Sequence, residues 1–181
     1  MDSEHRQLVE RLQEKKVADY GHLHYVEGLL GGNHVILTQC GIGKVNAAVG
    51  ATELIRRFAP DCIISTGVAG GIDACLKVMD VVVSERLVYH DVWCGEGNEY
   101  GQVQGLPAAY EGCASLLEHA LSLNNAGPES RICKGLICTG PLHHRPRRAG
   151  CHQAPFSCRS CGRYGVCSHC ASVPFVRHSF P

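Results

Sequence analysis

The sequence predicts an α/β fold: a mostly parallel twisted sheet with flanking helices. Three observations carry that expectation. His34-Val-Ile-Leu-Thr-Gln39 is an apolar run that ends in Cys40-Gly-Ile-Gly-Lys44. Val45 to Phe58 favours helix, with Asn46 near its start and Pro60 as its stop. Cys62-Ile-Ile-Ser65 is a second apolar run, set between Pro60 and the glycines Gly67, Gly70 and Gly71, which suits a strand buried on both faces. The order is strand, glycine loop, helix, strand, glycine loop, which is one βαβ unit with both loops at the same edge. Ligands of open α/β sheets sit beyond the carboxyl ends of the strands, so both loops are candidate pocket walls. The plainer alternative is a pair of tight turns with no ligand. Neither loop is a Walker A or a dinucleotide fingerprint: Gly41-x-Gly43 lacks the third glycine, and Lys44 is followed by Val45 rather than Ser or Thr.

In chain order, Met1-Asp-Ser-Glu4 opens into an amphipathic helix with Leu8, Val9 and Leu12 on one stripe. Ser3 or Asp2 can cap it, and a Glu4 in the first turn is ordinary compensation of the helix dipole. His22–Leu30 and His34–Gln39 read as a hairpin across Gly31-Gly32-Asn33. Asp80-Val-Val-Val-Ser84 is a buried strand that continues to Tyr89. The following His90-Asp91 pair has the residue types of base chemistry, but neighbours on a strand point to opposite faces, so a polar structural role is expected. Trp93 to Pro107 is a long glycine-rich connection of the kind found at pockets and interfaces. Ser115–Leu123 reads as a short helix and Arg131–Thr139 as the next strand. No internal repeat is visible.

The 181 residues suffice for one domain with a proper core, placed at 1–140, and they split sharply at Gly140. Residues 1–140 hold all 17 acids against 11 Lys and Arg, a formal charge of −6; 141–181 hold six Arg and no acid. Seven of the 12 cysteines are scattered through 1–140, where Cys62, Cys133 and Cys138 sit in apolar runs as small hydrophobes. No apolar run reaches the ~20 residues of a membrane span, and no secretory h-region is present. A soluble, cytoplasmic protein without nucleic-acid or membrane partners is expected.

Five motifs resemble one family. They are Gly41-Ile-Gly-Lys-Val-Asn-Ala-Ala48, Ser65-Thr-Gly-Val-Ala-Gly-Gly-Ile72, Tyr89-His-Asp91, Glu99-Tyr-Gly101 and Gly135-Leu-Ile-Cys-Thr-Gly140. In order and spacing they are similar to the 5'-methylthioadenosine/S-adenosylhomocysteine nucleosidases of the nucleoside phosphorylase superfamily, over about residues 1–140. The resemblance implies hydrolysis of the N-glycosidic bond of a small-molecule nucleoside with release of adenine, no metal or organic cofactor, and a homodimer. It implies that Glu4 holds and activates the attacking water. It also implies that Ile42, Val68, Ala69 and Gly70 bind substrate, and that the Trp93–Pro107 region lends residues to the neighbouring subunit. In that region Cys94-Gly-Glu-Gly97 departs from the aromatic pattern of some members. The family places an apolar strand before the Met that corresponds to Met1, so this chain is expected to lack a first strand.

The tail admits three readings. Cys158-x-x-Cys161 and Cys167-x-x-Cys170, with Cys151, His143, His144, His152 and His169 nearby, have zinc-knuckle spacing. Against this, only five residues part the knuckles, and no apolar periodicity surrounds them. A native tail unrelated to the family is the second reading. The third is translation out of frame. With suitable synonymous codons, reading one base later from Gly140 yields an Asp-x-Phe-Ile and then a Met-Glu ahead of an alanine-rich stretch, which is what the family carries next. The third reading is preferred; it makes 141–181 no domain and removes two groups the resemblance calls for. These are the carboxylate that grips the ribose hydroxyls and the aspartate that protonates the purine. No acid follows Glu129. The expectation is therefore a nucleosidase with impaired catalysis. The alternatives are a purine nucleoside phosphorylase, which needs cations for phosphate where only Lys44 is present between Gly41 and Asn46, and a non-enzymatic zinc-binding fragment.

Overall fold

The computed structural model describes residues 2–126, 131–140 and 165–168. The chain divides into two compact units, Met1–Pro60 and Asp61–Pro181.

The first unit opens with α1 (Asp2–Arg11), as the apolar stripe predicts, and Leu12 at its end is buried. Three strands follow, β1 (Gln13–Tyr20), β2 (Leu23–Leu30) and β3 (Asn33–Thr38), in an antiparallel sheet of order β1-β2-β3. The β2–β3 turn holds Gly31 at φ 58 and Gly32 at φ 82. Two consecutive positive φ values are the signature of a type I′ turn, which glycine enters at no steric cost. β1 is absent from the sequence reading. Its Gln-Glu-Lys-Lys start is polar and its surface is almost wholly exposed, so no alternation marks it; pairing with β2 alone makes it a strand. β2 supplies the core, with Leu23, Tyr25 and Val26 buried. The Tyr25 ring meets Phe58 at 5.1 Å between centroids. Phe58 ends α2 (Lys44–Phe58), which lies within one residue of its predicted bounds. Ala59 closes α2 in the left-handed region and donates its N–H to the Ile55 carbonyl at 3.0 Å, before Pro60 forbids another turn.

The second unit holds β4 (Ala69–Gly71), β5 (Val81–Tyr89), β6 (Tyr110–Glu111), α3 (Ala114–Ser122), a 3-10 turn (Leu123–Ala126), β7 (Ile132–Thr139) and β8 (Gly165–Ser168). Its sheet has the order β4-β8-β7-β5-β6. β7 pairs in parallel with β5 on one side and β8 on the other, and β5 reaches β7 through β6 and α3. Val88 and Cys138, side by side in the β5–β7 register, form the buried centre with Ala109 and Leu136 against them.

Three expectations need correction. Parallel pairing is confined to β5, β7 and β8; the other four neighbouring pairs are antiparallel. Three strands joined by two tight turns, as β1 to β3 are, can pair in no other way. The strand expected at Cys62–Ser65 is absent: residues 62–68 carry no regular structure, Ile64 is exposed, and the strand begins at Ala69. An apolar run becomes a strand only by pairing, and among the described residues none pairs with 62–68. Finally, without periodic apolar residues 141–181 are expected to pack poorly or to take an irregular conformation, yet Gly165–Ser168 forms β8. Its backbone fills the slot between β4 and β7. The four cysteines of the zinc reading fall outside the described residues apart from the backbone of Cys167. Among the described residues no cluster of three or more metal-ligating side chains occurs.

Candidate functional site

The carboxyl ends of β5, β7 and β8 end in one row. Tyr89 pairs with Thr139, Thr139 with Ser168, and Ser168 with Ala69 at the start of antiparallel β4. This row is where an open parallel sheet receives a ligand. It contains Ala69, with Gly70 next along β4, two of the residues assigned to substrate by the motifs; Val68 immediately precedes them, half exposed. Thr139 is 5 % exposed and lies in the Gly135–Gly140 motif, although no site role was expected of it.

Just beyond the row, the chain leaves β5 through His90 and Asp91 and leaves β7 through Gly140. The His90 N–H donates to the Thr139 carbonyl at 3.1 Å, which extends the ladder one residue past β5. The His90 carbonyl accepts from the Tyr100 hydroxyl at 3.0 Å. A Cβ on Gly140 would stand 2.6 Å from His90 Nε2 and 2.9 Å from the Asp91 carboxyl carbon. The two side chains therefore converge on one backbone atom, contrary to the expectation that they face opposite ways. The alternation rule applies inside a strand; His90 and Asp91 lie past the last residue of β5, in a bend. Sequence reasoning missed this because the strand's end cannot be set to one residue from the pattern.

The 92–107 connection closes on itself as a long loop should. Gly101 donates to the Val92 carbonyl at 3.0 Å, and the exposed Trp93 ring stacks on Tyr100 with 6.3 Å between centroids. Burial drives the Tyr110 phenol above its usual pKa, with the nearby Tyr89 adding to the effect. At the other end of β5, the Lys77 N–H and then Arg131 hold the Asp80 carboxyl below the usual range, and burial opposes them.

In the first unit, Glu4 lies in the first turn of α1. Ile42 lies in the glycine loop, 74 % exposed. That loop is fastened to α2 by Asn46, whose amide donates to the Ile42 carbonyl at 2.7 Å and packs on Gly41. The structure brings Val68, Ala69 and Gly70 together in the second unit, with Glu4 and Ile42 in the first.

The profile of the phosphorylase superfamily matches residues 1–151. A 5'-methylthioadenosine/S-adenosylhomocysteine nucleosidase of Exiguobacterium sp. is 43% identical over 141 residues, 77% of this chain and 60% of the relative. One from Anoxybacillus flavithermus is 36% identical over 182 residues, 99% of this chain and 77% of the relative. Among solved structures, the nucleosidase of Neisseria meningitidis in complex with methylthio-immucillin-A superposes with a TM-score of 0.74 at 39% identity, covering 77% of this chain and 61% of that one. The chain thus spans about three fifths of the length of the Exiguobacterium relative it matches.

Proposed function

The chain belongs to the phosphorylase superfamily and within it to the 5'-methylthioadenosine/S-adenosylhomocysteine nucleosidases, and we propose that its site is built for hydrolysis of the N-glycosidic bond of such nucleosides. The observation that carries the reading is the row from Ala69 to Tyr89, a ligand-receiving edge that includes the motif glycine strand. In this reading Val68, Ala69 and Gly70 wall the substrate, Ile42 contributes from the other glycine loop, and Glu4 positions water. Of the finer fold expectation, a twisted parallel sheet with flanking helices, the proposal keeps only the β5–β7–β8 centre of the second unit. A homodimer and a cytoplasmic setting go with the family reading; no helix among the described residues is long and apolar enough to cross a membrane.

Hydrolysis of this bond needs three things: a positioned water, stabilisation of a cationic ribose, and an acid for the departing purine. The 181 residues offer Glu4 for the first, but no acid follows Glu129 to supply the ribose carboxylate or the purine's proton. We therefore assign residues 141–181 to an out-of-frame tail that is no domain of its own, and assign impaired turnover to the chain.

Phosphorolysis is disfavoured because Lys44 is the sole cation between Gly41 and Asn46. Calorimetry with methylthio-immucillin-A, competed by methylthioadenosine, tests the reading. Measurable binding that methylthioadenosine displaces is expected, with trace adenine release indifferent to added phosphate. Release that requires phosphate and yields a sugar 1-phosphate transfers the chain to the phosphorylase reading. Absence of any binding removes the nucleosidase reading.

A further inference from the structure

We propose that His90 and Asp91 are positioning residues that act through Gly140, fixing the place where the chain leaves β7 at the ligand-receiving edge. The inference rests on the reading that the carboxyl edge is the ligand edge, but the exchange part of its test does not require a ligand.

Strand ends fray unless something holds them, because the last residues have few neighbours and solvent competes for their hydrogen bonds. Here the end is held from three directions. The His90 backbone is fixed on both sides, its N–H by the Thr139 carbonyl and its carbonyl by the Tyr100 hydroxyl. Its imidazole, in a residue only 8 % exposed, presses on the Gly140 Cα face. The Asp91 carboxyl presses on the same face, so Gly140 is buried with no room for a Cβ. Tyr100 is itself stacked on Trp93, in a loop that Gly101 closes onto Val92. The lock therefore joins β5, β7 and the long loop at one point. That point adjoins the row in which Thr139 stands beside Ser168 and Ala69. Of the two polar side chains at this point, His90 is buried and Asp91 half-buried, where packing alone would favour apolar groups. A clamp with two polar jaws on a glycine instead sets a direction for the chain, and with it the depth of the site floor at Thr139.

Native-state hydrogen exchange tests this. In the unaltered chain, the His90 amide and the Cys138–Gly140 segment should be as protected as the middle of β5 and β7. His90→Phe and Gly140→Ala should speed exchange at Cys138–Gly140 by about tenfold or more while leaving Val82 and Cys133 unchanged, which marks a local opening. His90→Gln, which keeps a polar jaw, should restore much of the protection, and methylthio-immucillin-A should bind more weakly to His90→Phe than to His90→Gln. Should the variants fail to fold, the profile of the unaltered chain decides: a β7 end that exchanges like a frayed terminus overturns the clamp. Equal acceleration across all strands, or none anywhere, overturns it too. If the exchange pattern holds while methylthio-immucillin-A binds to no form of the chain, the clamp stands and the nucleosidase reading falls.

Discussion

Met79 holds φ 77 at the third position of the Lys77–Asp80 turn, whose ends are joined by the Asp80 N–H and the Lys77 carbonyl at 3.1 Å. That is the type II geometry, in which the third residue favours glycine. An L side chain there costs ~1–2 kcal/mol, while glycine brings back up to ~1 kcal/mol of extra unfolded-state entropy. Met79 is 75 % exposed, so its side chain has little packing to lose. Met79→Gly should therefore stabilise the protein by about 0.5–1 kcal/mol, read as a higher urea midpoint with unchanged slope. An unchanged or lower midpoint means that Met79 makes a compensating contact. At this scale the sequence is legible where a residue type matches a conformation and silent where it does not. Gly31-Gly32 announced their turn, whereas nothing in Val78-Met79 announces a positive φ. The His90–Asp91 convergence was hidden for a related reason: it depends on one residue's difference in where β5 stops.

At the scale of elements, β5 and β7 are tied at their starts as well as their ends. Asp80 Oδ2 accepts from the Lys77 N–H at 2.9 Å and from Arg131 Nη2 at 2.6 Å, and Arg131 Nη2 also donates to the Cys75 carbonyl at 2.7 Å. The Val81 N–H donates to the Arg131 carbonyl, so the ion pair and the first rung of the ladder reinforce one register. Asp80 is the better shielded partner, its side chain 10 % exposed against 45 % for Arg131. Its carboxyl lies below the usual range through the Lys77 hydrogen bond first and Arg131 second. A depressed carboxylate contributes stability that is complete above the ordinary pKa of about 3.9 and is lost as pH falls through the lowered folded value. The stability difference between pH 7 and pH 3 should accordingly shrink in Asp80→Asn, and Arg131→Met should shift the acid limb toward higher pH. Identical acid limbs in all three proteins would show that the anchor is decorative. Elements were legible where local signals agreed: α2, where alanines, Leu54 and the Glu53–Arg57 pair outweigh Gly50 and Pro60 is the stop, came within a residue. Cys62–Ser65 and β1 were not, since an apolar run without a partner stays irregular and a polar run with one becomes a strand.

For the whole molecule the decisive contrast is between a body whose motifs are intact and a tail whose composition changes at Gly140. The body was readable because five motifs fell in order at the right spacing. The tail was not, since neither apolar periodicity nor turn chemistry foretells that Gly165–Ser168 enters the sheet. β8 supplies backbone to the row at the proposed ligand edge without supplying an acid. Backbone pairing can complete the sheet, but it cannot protonate a leaving purine, a step that general-acid catalysis typically makes worth ~10²–10⁴-fold. On the proposed reading the carboxylate for the ribose hydroxyls is missing as well, so positioning should weaken at the same time. Adenine release from methylthioadenosine should then be compared between this chain and a version read one base later after Gly140. Turnover is expected to rise by at least ~10²-fold in the second form. In that form Glu4→Gln should abolish it, because the water would lose its carboxylate while the rest of the site remains. Full turnover by the unaltered chain would mean that a group within these 181 residues already delivers the proton, and the out-of-frame assignment would lose its functional consequence.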